Sequence, residues 1–242
     1  MKEDIATNDH ANSGQVQLIW LFVLVLTWFA ITQFIPYLNR LYDFRSVNPW
    51  ILAYIRMALM LAVTWAYISF LEKKTFSEGF NIFFKDFGRN LLWAVVFFAL
   101  AFFAEKLYNT LVMKPLIPEM FTASSSGGKA LTQSLGARVF EYLYIVFEGV
   151  VEVFVFIGVL VDRLAKKLGW TVSIIVANII FALWHYPYWR MGWLPGTLLI
   201  ILTFIAGVII SLNYMKTKNT LSSALCHIFV DSPSALKILV GK

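Results

Sequence analysis

Runs of roughly twenty apolar residues, broken by short clusters of charge, constrain this chain more than any other feature. About twenty residues at 1.5 Å rise are what a helix needs to span a bilayer. Such runs cover 16–36, 50–70, 90–112, 138–161, 171–186 and 196–214, and a shorter one covers 220–230. The chain is 60% hydrophobic and only 14% charged, with a mean hydropathy of +0.72. A soluble domain is nearer half apolar and a quarter charged. The pattern therefore predicts an all-α polytopic membrane protein of about seven transmembrane helices, a multi-pass protein of the cell membrane surrounded by lipid. The net charge is +6, but the lysines and arginines lie mostly between apolar blocks. That is how membrane helices are flanked, so nucleic acid is not an expected partner. The single cysteine, Cys226, excludes an intrachain disulfide.

Four stretches follow from this pattern. Residues 1–15 form a polar tail without the basic start or cleavage site of a secretory signal, so the first apolar block reads as a retained helix. Residues 16–112 hold the N-terminal transmembrane helices. Arg56 lies in the first turns of the second, placed to snorkel to the interface, and Glu105 and Lys106 mark the headgroup level at the end of the third. Between the second and third, 72–89 has an aromatic middle and reads either as a surface-lying amphipathic stretch or as core. Residues 113–137, with Pro115, Pro118 and Ser124-Ser125-Ser126-Gly127-Gly128, read as a flexible loop, a connector or a gate. Residues 138–242 form the core with the densest signals. There Asp162, Arg163, Lys166 and Lys167 make a charged turn, and Gly207 and Ser211, four apart, allow a neighbouring helix to approach closely. Lys73, Lys74, Lys85, Arg89, Arg163, Lys166, Lys167, Lys216 and Lys218 fall on one side with the N-terminus, which favours a cytoplasmic N-terminus.

Ionisable side chains at membrane depth are costly, so each one there is a candidate functional group. Three segments carry them: Glu148 and Glu152 in the first helix of the core, His185 at the end of the next, and His227 with Asp231 in the last. Positions four apart share a helix face, so Glu148 projects with Glu152 and His227 with Asp231. If the three segments meet, a carboxylate out of water can serve as a general base, a histidine can share its proton, and polar groups opposite can hold a developing oxyanion. The chemistry such a group supports is hydrolysis of a peptide bond inside a cavity that excludes bulk water. Zinc held by His185, His227 and Glu152 is the alternative, although no H-E-x-x-H spacing supports it. Read separately, the same residues are an interfacial histidine, a helix–helix hydrogen-bond partner and a surface pair.

At these residues the chain resembles the CAAX protease and bacteriocin-processing family, also called the Abi family, of intramembrane proteases. The family pattern is Glu-Glu-x-x-x-Arg on one helix, Phe-x-x-x-His on a second and His-x-x-x-Asn or Asp on a third. Phe181 to His185, in a Trp-His-Tyr-Pro context, matches the second, and His227 to Asp231 matches the third. The first is degenerate: Glu152 takes the first glutamate position, Val153 replaces the second and Ile157 replaces the arginine. The resemblance implies a CAAX-protease-like helical bundle and an intramembrane endopeptidase acting on membrane-associated or lipid-anchored proteins or peptides. It implies that Glu152 and His185 activate water, and that His227 and Asp231 bind the region of the scissile carbonyl. Losing a carboxylate and an arginine together is cheaper than losing one, because a lone buried charge costs most. Catalysis then survives, with Glu148 as the auxiliary carboxylate. The same losses also fit a non-catalytic member: a membrane scaffold, a regulator of a membrane partner or a bacteriocin self-immunity protein.

Overall fold

The computed structural model describes residues 17–35, 37, 49–123 and 134–240. The polar tail 1–15 and the serine–glycine part of the expected loop lie outside the described residues. The described residues are almost entirely helical, with no strand among them. Helix α1 spans Gln17–Ile35, α2 Trp50–Glu72, α3 Phe76–Gly79, α4 Phe87–Leu116 and α5 Pro118–Ala123. After them come α6 Leu135–Leu168, α7 Trp170–Trp184, a 3-10 segment Tyr186–Met191, α8 Trp193–Thr217 and α9 Thr220–Val240.

The all-α polytopic membrane fold is borne out. Five helices, α1, α2, α4, α6 and α8, are long and apolar enough to cross a membrane. The seven expected spans correspond to these five together with α7 and α9. Helix α7 is shorter, 15 residues or about 22 Å, and ends where His185 and Pro187 interrupt the apolar run.

Lipid-facing and core-facing stripes explain why these rods pack. On α1, Leu21, Leu24, Val25 and Trp28 are buried, while Ile19, Phe22 and Leu26 on the other face are exposed. Buried Trp28 still needs a partner for its N–H and donates to Thr64 Oγ1 of α2 at 3.0 Å. Helix α6 runs through the centre, packed against α9 and α2. Its stretch Val153–Val161 is buried on every side and winds with π-helical spacing. Such widened turns are rare and cluster at functional sites; this one begins at the residue after Glu152.

Charged ends are folded in where the sequence suggested turns. Asp162 to Lys167 is no turn but the last part of α6. The charge is absorbed because Arg163 donates to both Glu72 oxygens (2.8 and 2.6 Å) and to the carbonyls of Gly79 (2.6 Å) and Gly158 (2.7 Å). A short turn at Gly169, φ +74°, then reverses the chain into α7. The 72–89 segment divides between its two readings. Phe80 is fully buried against Phe76 and Phe154, while Phe83, Phe84 and Phe87 are exposed. Outside the bilayer-crossing helices, Thr75 caps α3, and its hydroxyl and backbone N–H hold the Glu78 carboxyl below its usual range. The loop expected over 113–137 is largely helical where described, since α4 runs to Leu116 and α5 follows. Helix α9 likewise continues past Pro233 to Val240 instead of stopping near Asp231.

Candidate functional site

A cavity of about 540 Å³ lies among α2, α4, α6, α7, α8 and α9. Glu148, Glu152, His185, His227 and Asp231 all line it. Each arrives by the geometry of its own helix. Glu148 and Glu152 stand one turn apart on the face of α6 that meets α9. His227 and Asp231 stand one turn apart on the face of α9 that meets α6. His185 caps the end of α7. Gly149, between the two glutamates in sequence, faces Asp231 and His227 of α9. A methyl group there would sit 3.6 Å from Asp231 Oδ2 and 3.8 Å from the His227 ring, in ordinary van der Waals contact.

His185 has a defined tautomer. Its Nδ1 lies 2.9 Å from the carbonyl of Phe181, which can only accept, so Nδ1 carries the proton. In the neutral ring Nε2 is then an acceptor, and it faces Glu152 Oε1 at 3.7 Å. The distance is too long for a direct hydrogen bond. Two acceptors at that separation can both receive hydrogens from one water molecule. Glu152 itself is 4% exposed and His227 8%, so both lie out of bulk solvent. Phe181 presents its ring edge-on to both imidazoles, with centroids 4.9 Å from His185 and 6.2 Å from His227. His227 Nε2 lies 3.4 Å from Asp231 Oδ2, and its Nδ1 is buried without a hydrogen-bond partner among the described residues.

Arg56 is the correction. It does not snorkel to the interface but turns inward, where Nη2 donates to Glu148 Oε1 and to Tyr144 Oη, both at 2.9 Å. Tyr144 in turn donates to Glu148 Oε1 at 2.5 Å. The guanidinium also lies over the Trp184 ring, 5.9 Å from its centroid. Glu105 does not simply mark the headgroup level either: it lines the cavity, as does Tyr188. The charge-in-hydrocarbon signal that singled out Glu152 applied equally to Arg56. Its position near a helix start hid it. Nothing in the local pattern marked Tyr144 or Tyr188. Among the described residues no three His, Cys, Asp or Glu side chains are grouped so as to hold a metal ion, so the zinc set His185, His227 and Glu152 does not fit this arrangement.

Val153 and Ile157, which stand where the family pattern has its second glutamate and its arginine, are buried at 1% and 5% exposure in the apolar core. In comparison with known families, residues 134–232 fit the model described as Rce1-like, type II CAAX prenyl endopeptidase. The resemblance to the CAAX protease and bacteriocin-processing family, read from the three motifs, is thereby shown over that segment. No curated protein and no solved structure matches the chain.

Proposed function

We propose that the cavity is the active site of an intramembrane endopeptidase that hydrolyses a peptide bond in membrane-associated or lipid-anchored proteins or peptides. The observation that carries this reading is the Glu152 carboxylate facing the acceptor nitrogen of His185 at 3.7 Å, inside a cavity that His227 also lines. A water bound by both acceptors is oriented for attack, and Glu152 takes its proton as the oxygen adds to the carbonyl carbon. The same proton then passes to the departing amine, which leaves as the C–N bond breaks. His227 holds the region of the carbonyl oxygen. With Asp231 turned to accept from its Nε2 side, the aspartate serves the imidazole and does not confront the oxyanion directly. The unpartnered Nδ1 of His227 is a buried polar atom: with Nε2–H given to Asp231 it accepts from a water or a substrate N–H in the neutral ring, and donates to a carbonyl oxygen only as the imidazolium.

The apolar surroundings of Val153 and Ile157 favour the second reading, a non-catalytic member acting as a membrane scaffold, a regulator of a membrane partner or a bacteriocin self-immunity protein. Purified protein in liposomes, given a panel of membrane-anchored reporter peptides, separates the two. Glu152→Ala and His185→Ala should each lower cleavage by roughly 10²–10⁴-fold while leaving the melting temperature near that of the parent. Cleavage that persists in Glu152→Ala, or that is absent from the folded parent across the panel, returns the protein to the scaffold reading.

A further inference from the structure

Arg56 stands on α2, outside the segment that matches the family model. Its Nη2, Glu148 Oε1 and Tyr144 Oη form a closed triangle with sides of 2.9, 2.9 and 2.5 Å. An arginine does not give up its proton in proteins, so the cavity must supply it with an anion. Two carboxylates are in reach of that role, one turn apart on α6, and like charges at this spacing destabilise a helix. The triangle selects Glu148. Meanwhile the apolar side chains of Val153 and Ile157 occupy the places where a balanced carboxylate–arginine pair is expected from the motif.

We infer that Arg56 and Glu148 restore this charge balance from another helix and another turn. Arg56 is then the positioning residue of the cavity: it commits Glu148 to a fixed ion pair and leaves Glu152 with His185 as the pair free to exchange a proton. The second half of this statement rests on the endopeptidase reading; the first half does not. The other charged groups facing Glu148 are Glu152 on its own helix and His227 and Asp231 on α9. Glu105 from α4 and His185 and Tyr188 beyond α7 complete the titratable lining.

The test compares the parent protein in liposomes with Arg56→Lys, Arg56→Gln and the double variant Arg56→Gln/Glu148→Gln. The readouts are the infrared band of protonated carboxylic acids and the melting temperature. Arg56→Gln strips Glu148 of its cation, so it should gain a protonated-carboxyl band and melt lower. Arg56→Lys keeps the charge and should keep the parent spectrum. The double variant should lose the extra band and melt above Arg56→Gln. Hydrolysis should fall roughly 100-fold in Arg56→Gln and stay near the parent's in the conservative Arg56→Lys. An unchanged spectrum in Arg56→Gln, or a double variant as unstable as the single one, overturns the inference. If Arg56→Gln does not fold, a folded double variant supports charge balance and an unfolded one refutes it. A parent protein with no hydrolysis removes the endopeptidase reading alone, because neither spectrum nor melting involves a substrate.

Discussion

Tyr214 illustrates what a buried polar side chain has to find inside this bundle. It is 1% exposed, donates to Asp162 Oδ1 at 2.8 Å and accepts from Asn81 Nδ2 at 2.7 Å. Replacing it with Phe leaves Asp162 with Lys166 (2.6 Å) but removes its neutral donor and strands the Asn81 amide on one side. Tyr214→Phe should therefore cost about 1–2 kcal/mol, read as a lower midpoint in thermal unfolding in detergent. A midpoint equal to the parent's would mean that water replaces the hydroxyl without loss. Residues such as this one were hard to read from sequence, because a tyrosine in an apolar run is unremarkable until its partner is known. Glu152, His185 and His227 stood out for the opposite reason: each is a charge or imidazole where hydrocarbon is expected. Arg56 gave the same signal, yet its partner Glu148 is ninety-two positions away. No local spacing links the two.

At the level of the helix, the small residues decide how near two rods can come. Gly207 of α8 faces Asn178 and Phe181 of α7. A methyl group there would stand 3.0 Å from Phe181 Cδ1 and closer still to Asn178 Oδ1. Asn178 is held in place by its bonds to Ser211 Oγ (2.8 Å) and the Ile174 carbonyl (2.7 Å), so it has little freedom to yield. Gly207→Ala should destabilise the protein by about 1–3 kcal/mol, again measured by thermal unfolding. It should also disturb His185, whose Nδ1 bonds to the Phe181 carbonyl. Full stability in that variant would show that α7 can shift away without penalty. The Gly207–Ser211 spacing made this contact legible in advance, as the long apolar runs made the helices legible. Helix ends were less so. Asp162 and Arg163 look like a solvated turn in sequence, and the distant Gly79 carbonyl and Glu72 carboxylate, with the nearby carbonyl of Gly158, absorb the Arg163 charge so that α6 continues through them.

Across the whole molecule, the helix directions sort the charges and the cavity to opposite ends. Helix α2 finishes, α4 begins, α6 finishes, α7 begins and α8 finishes at one end. That arrangement is fixed by the Arg163–Glu72 ion pair and by Asn219, which donates to the Phe83 carbonyl at 2.5 Å. Lys73, Lys74, Lys166, Lys167, Lys216 and Lys218 gather there. Helix α7 carries the chain from this end to His185, so the cavity reaches the other end, near Pro187, Tyr188 and Asp231. Short loops rich in Lys and Arg stay in the cytoplasm. Thus the basic end is expected to be cytoplasmic, and a substrate would then approach from the opposite side. The protein's one cysteine, Cys226, is fully buried, which leaves a quiet background for thiol labelling. Two single substitutions at exposed positions, Lys167→Cys and Arg190→Cys, test the orientation in sealed vesicles of known sidedness. A membrane-impermeant maleimide should modify the first only from the cytoplasmic face and the second only from the other. The reverse pattern would put the cavity on the cytoplasmic side and restrict its substrates to proteins and peptides that present themselves there.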